Sequence, residues 1–156
     1  MTGLVLCGPG GYARVAVPDG WLVQEDAAAG TAVAVESDAV SAGGFGSNLV
    51  LSMADNADLS FRDWQVATDQ LLPRVLTDYL LLDVERCMVA GRPGGRRLAH
   101  HVSSDGVAVT MEQWFTAVDG IGWTLTATVD SFRYDQQTDL LSRAAAGFDI
   151  GAESTR

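Results

Sequence analysis

Four apolar segments spread over residues 83–130 are joined by turn-forming residues, and that punctuation constrains the fold more than any other feature of the chain. Segment 83–90 leads to Arg92-Pro93-Gly94-Gly95, where Pro93 and Gly94 suit the two central positions of a type II turn. Segment 96–103 leads to Asp105-Gly106, and segment 107–118 leads to Asp119-Gly120. Asp-Gly between apolar runs is a strong hairpin signal. In segment 121–130, Ile121, Trp123, Leu125, Ala127 and Val129 alternate with Gly122, Thr124, Thr126 and Thr128. Period-2 alternation in hairpin-linked strands predicts an antiparallel meander with one well-buried face.

Upstream, residues 12–17 and Trp21–Gln24 read as extended segments around the turn Pro18-Asp19-Gly20. Thr31–Glu36 and Asn48–Ala54 read as strands, separated from their neighbours by loops at Ala27–Gly30 and Ala42–Ser47. Leu49, Leu51 and Met53 share one face. Ser60 is placed to cap a helix, with Asp63 three positions on. Phe61, Trp64, Thr68, Leu71, Leu72 and Val75 then form an apolar stripe. Pro73 lacks the amide a helix needs, which predicts two helical pieces, 60–72 and 74–80. A last helix over Gln136–Ala146 turns Leu140, Leu141, Ala144 and Phe148 inward, with Gly147 in the left-handed position that ends it. Residues 151–156 read as a polar tail. The whole chain, 1–156, is expected to be one domain with an ordered core over about 12–148 and neither repeats nor linkers.

The composition is that of a soluble globular protein: 47% hydrophobic and 19% charged residues, with no apolar run near the roughly 18 residues that span a bilayer. Net charge is −10, a field that repels nucleic-acid phosphates and anionic lipid and so argues against both as partners. All ten basic residues are arginine, which reads as the coding bias of a GC-rich genome such as an actinobacterial one. Cys7 and Cys87 are too few for a disulfide framework and read as free thiols. Leu4-Val5-Leu6-Cys7 looks superficially like a lipidation site. It has neither a basic n-region nor the apolar stretch of about 7–15 residues that export requires, so the expected location is the cytoplasm.

The search for chemistry is mostly negative. His100 and His101 are neighbours in a strand, so they face opposite ways and do not chelate one ion; no spaced His, Cys or Glu set completes a zinc site. Either imidazole can serve as a general base near Ser103, Ser104 and Asp105, although Ser-Ser-Asp-Gly is also ordinary turn material. Arg92, Arg96 and Arg97 form the one basic concentration. They read either as a forked anchor for a carboxylate, a phosphate or an acidic partner, or as a solvated hairpin tip that guards a sheet edge. The Gly-rich stretches lack the spacing of a dinucleotide or phosphate loop, and no nucleophile elbow occurs. No cofactor is indicated. Trp64 and Trp123 are assigned to the core. Trp114 with Glu112 is placed on the same face as Thr124, Thr126 and Thr128; that face is either covered by the second helix and the N-terminal strands or left partly open as a groove, and such a groove is a binding candidate.

Several short motifs, in order, resemble the LpqN/LpqT-type proteins of actinobacteria: Pro18-Asp19-Gly20-Trp21, Asn48-Leu49-Val50-Leu51-Ser52, Gly91-Arg92-Pro93-Gly94, Glu112-Gln113-Trp114-Phe115 and Thr124-Leu125-Thr126-Ala127-Thr128. More distantly they are similar to DcrB-like and PsbP-like domains, over about residues 12–148. The resemblance implies an α+β, PsbP-like α/β/α sandwich: a central twisted antiparallel sheet of about 6–8 strands with two or three helices on its two sides. It also implies a non-enzymatic accessory role with no catalytic residues to carry over. LpqN-type proteins are often envelope lipoproteins, a point on which this chain departs. The expected function is a protein-binding module with an unidentified protein partner. Small-ligand binding in a sheet–helix groove and a His100/His101 hydrolase stay open as alternatives. An edge strand beside the Arg-rich hairpin offers a surface for a two-fold homodimer.

Overall fold

The structure is a computed structural model and describes residues 2–26, 28–37 and 44–152. Ala27, the start of the Gly-rich loop at Ala42-Gly43 and the tail from 153 lie outside the described residues. The strands and α-helices that lie wholly among the described residues are, in order, β1 (Thr2–Gly8), β2 (Gly11–Val17), β3 (Leu22–Asp26), β4 (Thr31–Val35), β5 (Asn48–Asp55), α1 (Phe61–Val75), β6 (Thr77–Val89), β7 (Arg92–Val102), β8 (Ala108–Val118), β9 (Ile121–Asp130), α2 (Tyr134–Gly147) and β10 (Asp149–Ala152). A seven-stranded antiparallel sheet has the order β3-β4-β5-β9-β8-β7-β6, and a three-stranded sheet has the order β1-β2-β10. Helix α1 lies on one face of the large sheet; α2 and the small sheet lie on the other. The architecture is α+β, with the large antiparallel sheet covered on both faces.

The expected meander is present as β6 to β9, each strand beside its sequence neighbour. Asp119 and Gly120 both take positive φ (50° and 80°), so the hairpin closes with the two-residue turn whose twist matches the strands. The first hairpin differs from expectation. Its turn is Ala90-Gly91, with φ of 51° and 75°, and Pro93, Gly94 and Gly95 belong to β7. Proline is tolerated there because the ladder to β8 opens only at Gly95↔Phe115, and the Pro93 carbonyl accepts the Thr116 hydroxyl at 2.8 Å.

A second correction concerns residues 74–80. Helix α1 runs unbroken through Pro73 to Val75, and Thr77 already begins the long strand β6. The missing amide falls in the last turn, where the Leu76 amide still reaches the Leu72 carbonyl, and the sheet then captures the chain. The Ser60 hydroxyl accepts from the Asp63 amide, as its capping position predicts. Leu71 and Val75 are exposed and Phe61, Trp64, Thr68 and Leu72 only half-buried, so the stripe that meets the sheet is narrower than the spacing suggested.

Three further differences lie at the ends. β1, not anticipated, pairs with β2 through the Pro9-Gly10 turn. Gly147 is not in the left-handed region, because the chain leaves α2 through an extended Phe148 straight into β10. Residues 151–152 are thus in a strand that pairs with β2 and not in a tail. The main core fills the space between the two sheets and α2. Leu4, Leu6, Val15 and Val17 meet Leu49, Leu51, Leu125, Ala127, Leu141 and Phe148 there. Each fully buried leucine contributes about 1.5–3 kcal/mol.

Candidate functional site

The two-residue turn at Asp119-Gly120 sets the β8–β9 register so that Trp114 opposes Leu125 and Glu112 opposes Ala127. Directly opposed residues share a face. Trp114 and Glu112 therefore sit on the α2 face with the apolar row, and not with Thr124, Thr126 and Thr128 as expected. The threonine row shares its face with Gln113 and Phe115, and what lies against Thr124 is α1. The second helix and the N-terminal strands cover the opposite face.

On the α2 face, Arg96 opposes Trp114 across β7–β8, and together with Glu112 they line a groove of about 430 Å³. Tyr134, Thr138 and Ser142 of α2 complete its polar wall, over a floor that includes Leu141. The Arg96 Nε donates to Glu112 Oε2 at 2.5 Å, and its Nη1 lies 3.4 Å from Glu85 and 3.5 Å from Asp83. Burial opposes the Arg96 charge, but the Glu112 hydrogen bond and the surrounding carboxylates outweigh it and hold the guanidinium above its usual range. Burial, reinforced by Glu112, pushes the Tyr134 phenol up.

On the α1 face, Arg97 is almost fully buried. Its Nε and Nη2 donate to Asp69 Oδ1 at 3.0 and 2.7 Å, its Nη1 donates to Gln113 Oε1 at 2.7 Å, and its guanidinium stacks 4.8 Å from the Phe115 ring centroid. Gln113 in turn donates to Thr126 at 3.0 Å. This chain ties α1 to the sheet. Neither Arg96 nor Arg97 is at a hairpin tip; only Arg92 is near one, beside a small cleft with Val118 and Asp119.

The histidines point to opposite faces. His100 is exposed, while His101 is partly buried, and burial pushes its imidazole below its usual value against the opposing pull of the Val102 backbone. The Ser103 hydroxyl is spent on the turn, accepting from the Val107 amide. Among the described residues, no set of three His, Cys, Asp or Glu side chains converges to hold a metal. Cys7 and Cys87 are free thiols.

One surface was not anticipated. β6 is an edge strand of thirteen residues, and Leu80, Leu81, Leu82 and Met88 on it are exposed, as are Leu71 and Val75 at the end of α1. These six large apolar side chains are 41% to 66% exposed, with Leu80 and Leu81 projecting to opposite faces of the edge strand and Met88 near its hairpin end. Between α1 and β6, a cleft of about 280 Å³ is lined by Phe61, Arg62, Gln65, Val66, Val84 and Arg86. Reading 74–80 as helix concealed this surface. The signal was the uninterrupted Tyr79-Leu80-Leu81-Leu82 run, which a one-faced strand cannot bury.

No protein-family model matches the chain, and no curated protein matches it significantly in sequence. Solved structures match its fold. LpqN of Mycobacterium tuberculosis, described as involved in cell envelope biogenesis, superposes with a TM-score of 0.68 at 15% identity, over 96% of this chain and 91% of that one. The cyanobacterial PsbP of Synechocystis gives 0.67 at 16% identity, over 88% and 86%. The Ran-binding protein Mog1p of Saccharomyces cerevisiae gives 0.56 at 12% identity, over 87% and 88%. At these identities the likeness establishes the fold, shared by LpqN, PsbP and Mog1.

Proposed function

We propose that this chain is a non-enzymatic protein-binding module that meets its partner through the surface formed by α1 and β6. The observation that carries this reading is the long edge strand with exposed leucines flanked by exposed apolar residues of α1. A soluble domain that kept such an edge to itself would risk aggregation, so a surface of this kind implies a partner. Mog1p, which shares the fold, is a Ran-binding protein, and that supports a protein partner here. The test is photo-crosslinking in the native organism from position 82 on β6, with position 23 on the opposite edge strand β3 as control. A discrete partner captured from 82 and lost when Leu80→Glu is added to the same chain is expected. Equal capture from both positions, or none from 82, overturns the reading.

The groove beside Trp114 favours a second reading, small-ligand binding, because it combines an apolar floor with convergent polar groups. A metabolite screen by thermal shift checks it. A ligand that stabilises the wild type but not Thr138→Ala or Ser142→Ala supports it, and a screen without stabilisers removes it.

A further inference from the structure

We propose that the free edge of β6 accepts one extended strand of a partner protein, with basic residues opposite Asp83 and Glu85 and an apolar residue opposite Val84. The inference rests on the protein-binding reading above and names what fills that surface.

The backbone supplies the first argument. Ala90-Gly91 is a two-residue turn, so the closing pair Val89↔Arg92 exchanges hydrogen bonds, and alternation gives Cys87 and Glu85 inward bonds to β7 as well. The N–H and C=O groups of Val84, Arg86 and Met88 then face outward. Before residue 83 the register shifts twice, between Thr77 and Leu80 and between Leu81 and Asp83, and such bulges spoil a pairing edge. The usable template is Asp83–Val89.

The side chains supply the second. Asp83 and Glu85 share the α2 face, and each is 52% exposed. Both lie near the single guanidinium of Arg96, whose short bond goes to Glu112, so the rim keeps an excess of negative charge. Val84, on the opposite face, lines the cleft between α1 and β6. A residue paired with Val84 projects to that same face and enters the cleft between Phe61 and Val66. Strand addition of this kind takes affinity from main-chain bonds and specificity from alternate side chains. A net charge of −10 steers basic partners toward the chain. A second copy fits poorly, because full antiparallel overlap of Asp83–Val89 with itself sets Arg86 directly against Arg86.

The test uses the full chain and two blocked nonapeptides of threonine and valine, one with Lys-Val-Lys at its centre and one with Glu-Val-Glu. Anisotropy of labelled peptide is expected to give at least tenfold tighter binding for the lysine peptide. Amide hydrogen exchange is expected to slow at Val84, Arg86 and Met88. Asp83→Asn/Glu85→Gln, verified as folded by its melting temperature, is expected to bring the ratio close to one. Equal affinities, no binding of either peptide, or protection on β3 instead overturns the proposal. So does a dimer in sedimentation that already protects these amides without peptide. If capture from position 82 persists despite such a result, the protein-binding reading stands and only strand addition falls.

Discussion

Asp69→Ala is expected to destabilise this protein far more than Arg97→Met, although both remove the same ion pair. The Arg97 side chain is 2% exposed and that of Asp69 33%. Removing Asp69 takes away the acceptor of two hydrogen bonds and leaves a buried guanidinium with one neutral acceptor, Gln113, and the Phe115 ring. Stranding a buried charge costs about 3–5 kcal/mol. Water reaches the exposed side of Asp69, which places the expected loss at the lower end, about 3 kcal/mol. Arg97→Met leaves the remaining carboxylate where water can solvate it, fills most of the vacated volume and removes the desolvated charge altogether. Its expected cost is about 1 kcal/mol, from the lost hydrogen bonds. In the double variant the Asp69 change adds little, so the coupling energy is about 3 kcal/mol. Urea unfolding followed by tryptophan fluorescence measures all three, and in a thermal melt Asp69→Ala lowers Tm by about 6–12 °C. A loss below about 1 kcal/mol for Asp69→Ala, or one no larger than that of Arg97→Met, refutes the argument that the buried cation governs this site.

Gly94→Ala places a Cβ against the Phe115 carbonyl and the Val89 side chain, in backbone that cannot yield, so a loss of about 1–3 kcal/mol in urea unfolding is expected. Ala90 sits at a φ of 51° in the first hairpin turn, where asparagine is better suited; Ala90→Asn is expected to stabilise by about 0.5–1 kcal/mol in the same assay. Burial pushes the pKa of His101 below the unfolded value near 6.5. The unfolded chain therefore binds the proton first, and stability present above about pH 6.5 falls as the pH drops through that value. His101→Gln is expected to flatten the fall of stability with pH below about 6.5, and an unchanged curve counts against the assignment.

Where a turn carried the information, it was already legible in the chain. Asp119-Gly120 closes its hairpin with two residues, and that alone assigns Trp114 to Leu125; the earlier grouping of Trp114 with the threonines misread a register that the turn determines. The Ser60 cap, the alternation of β9 and the strands β4 and β5 were likewise local and readable. At the ends of α1 and β6, local signals competed and lost. Pro73 and the apolar spacing after it favoured a broken helix, but the chain at 77–89 gains a full ladder of hydrogen bonds to β7, which no local preference matches.

The arginines show the same division. Arg92, Arg96 and Arg97 lie close together in the chain and look alike in composition. In the fold, alternation sends Arg96 to the groove with Glu112, and Arg97 to the opposite face beneath α1, where Asp69 meets it from 28 residues away. Composition, hairpins and register follow from neighbours along the chain. Which charge is buried, which strand is an edge and which leucines stay in water depend on what packs against them, and only the tertiary structure decides that.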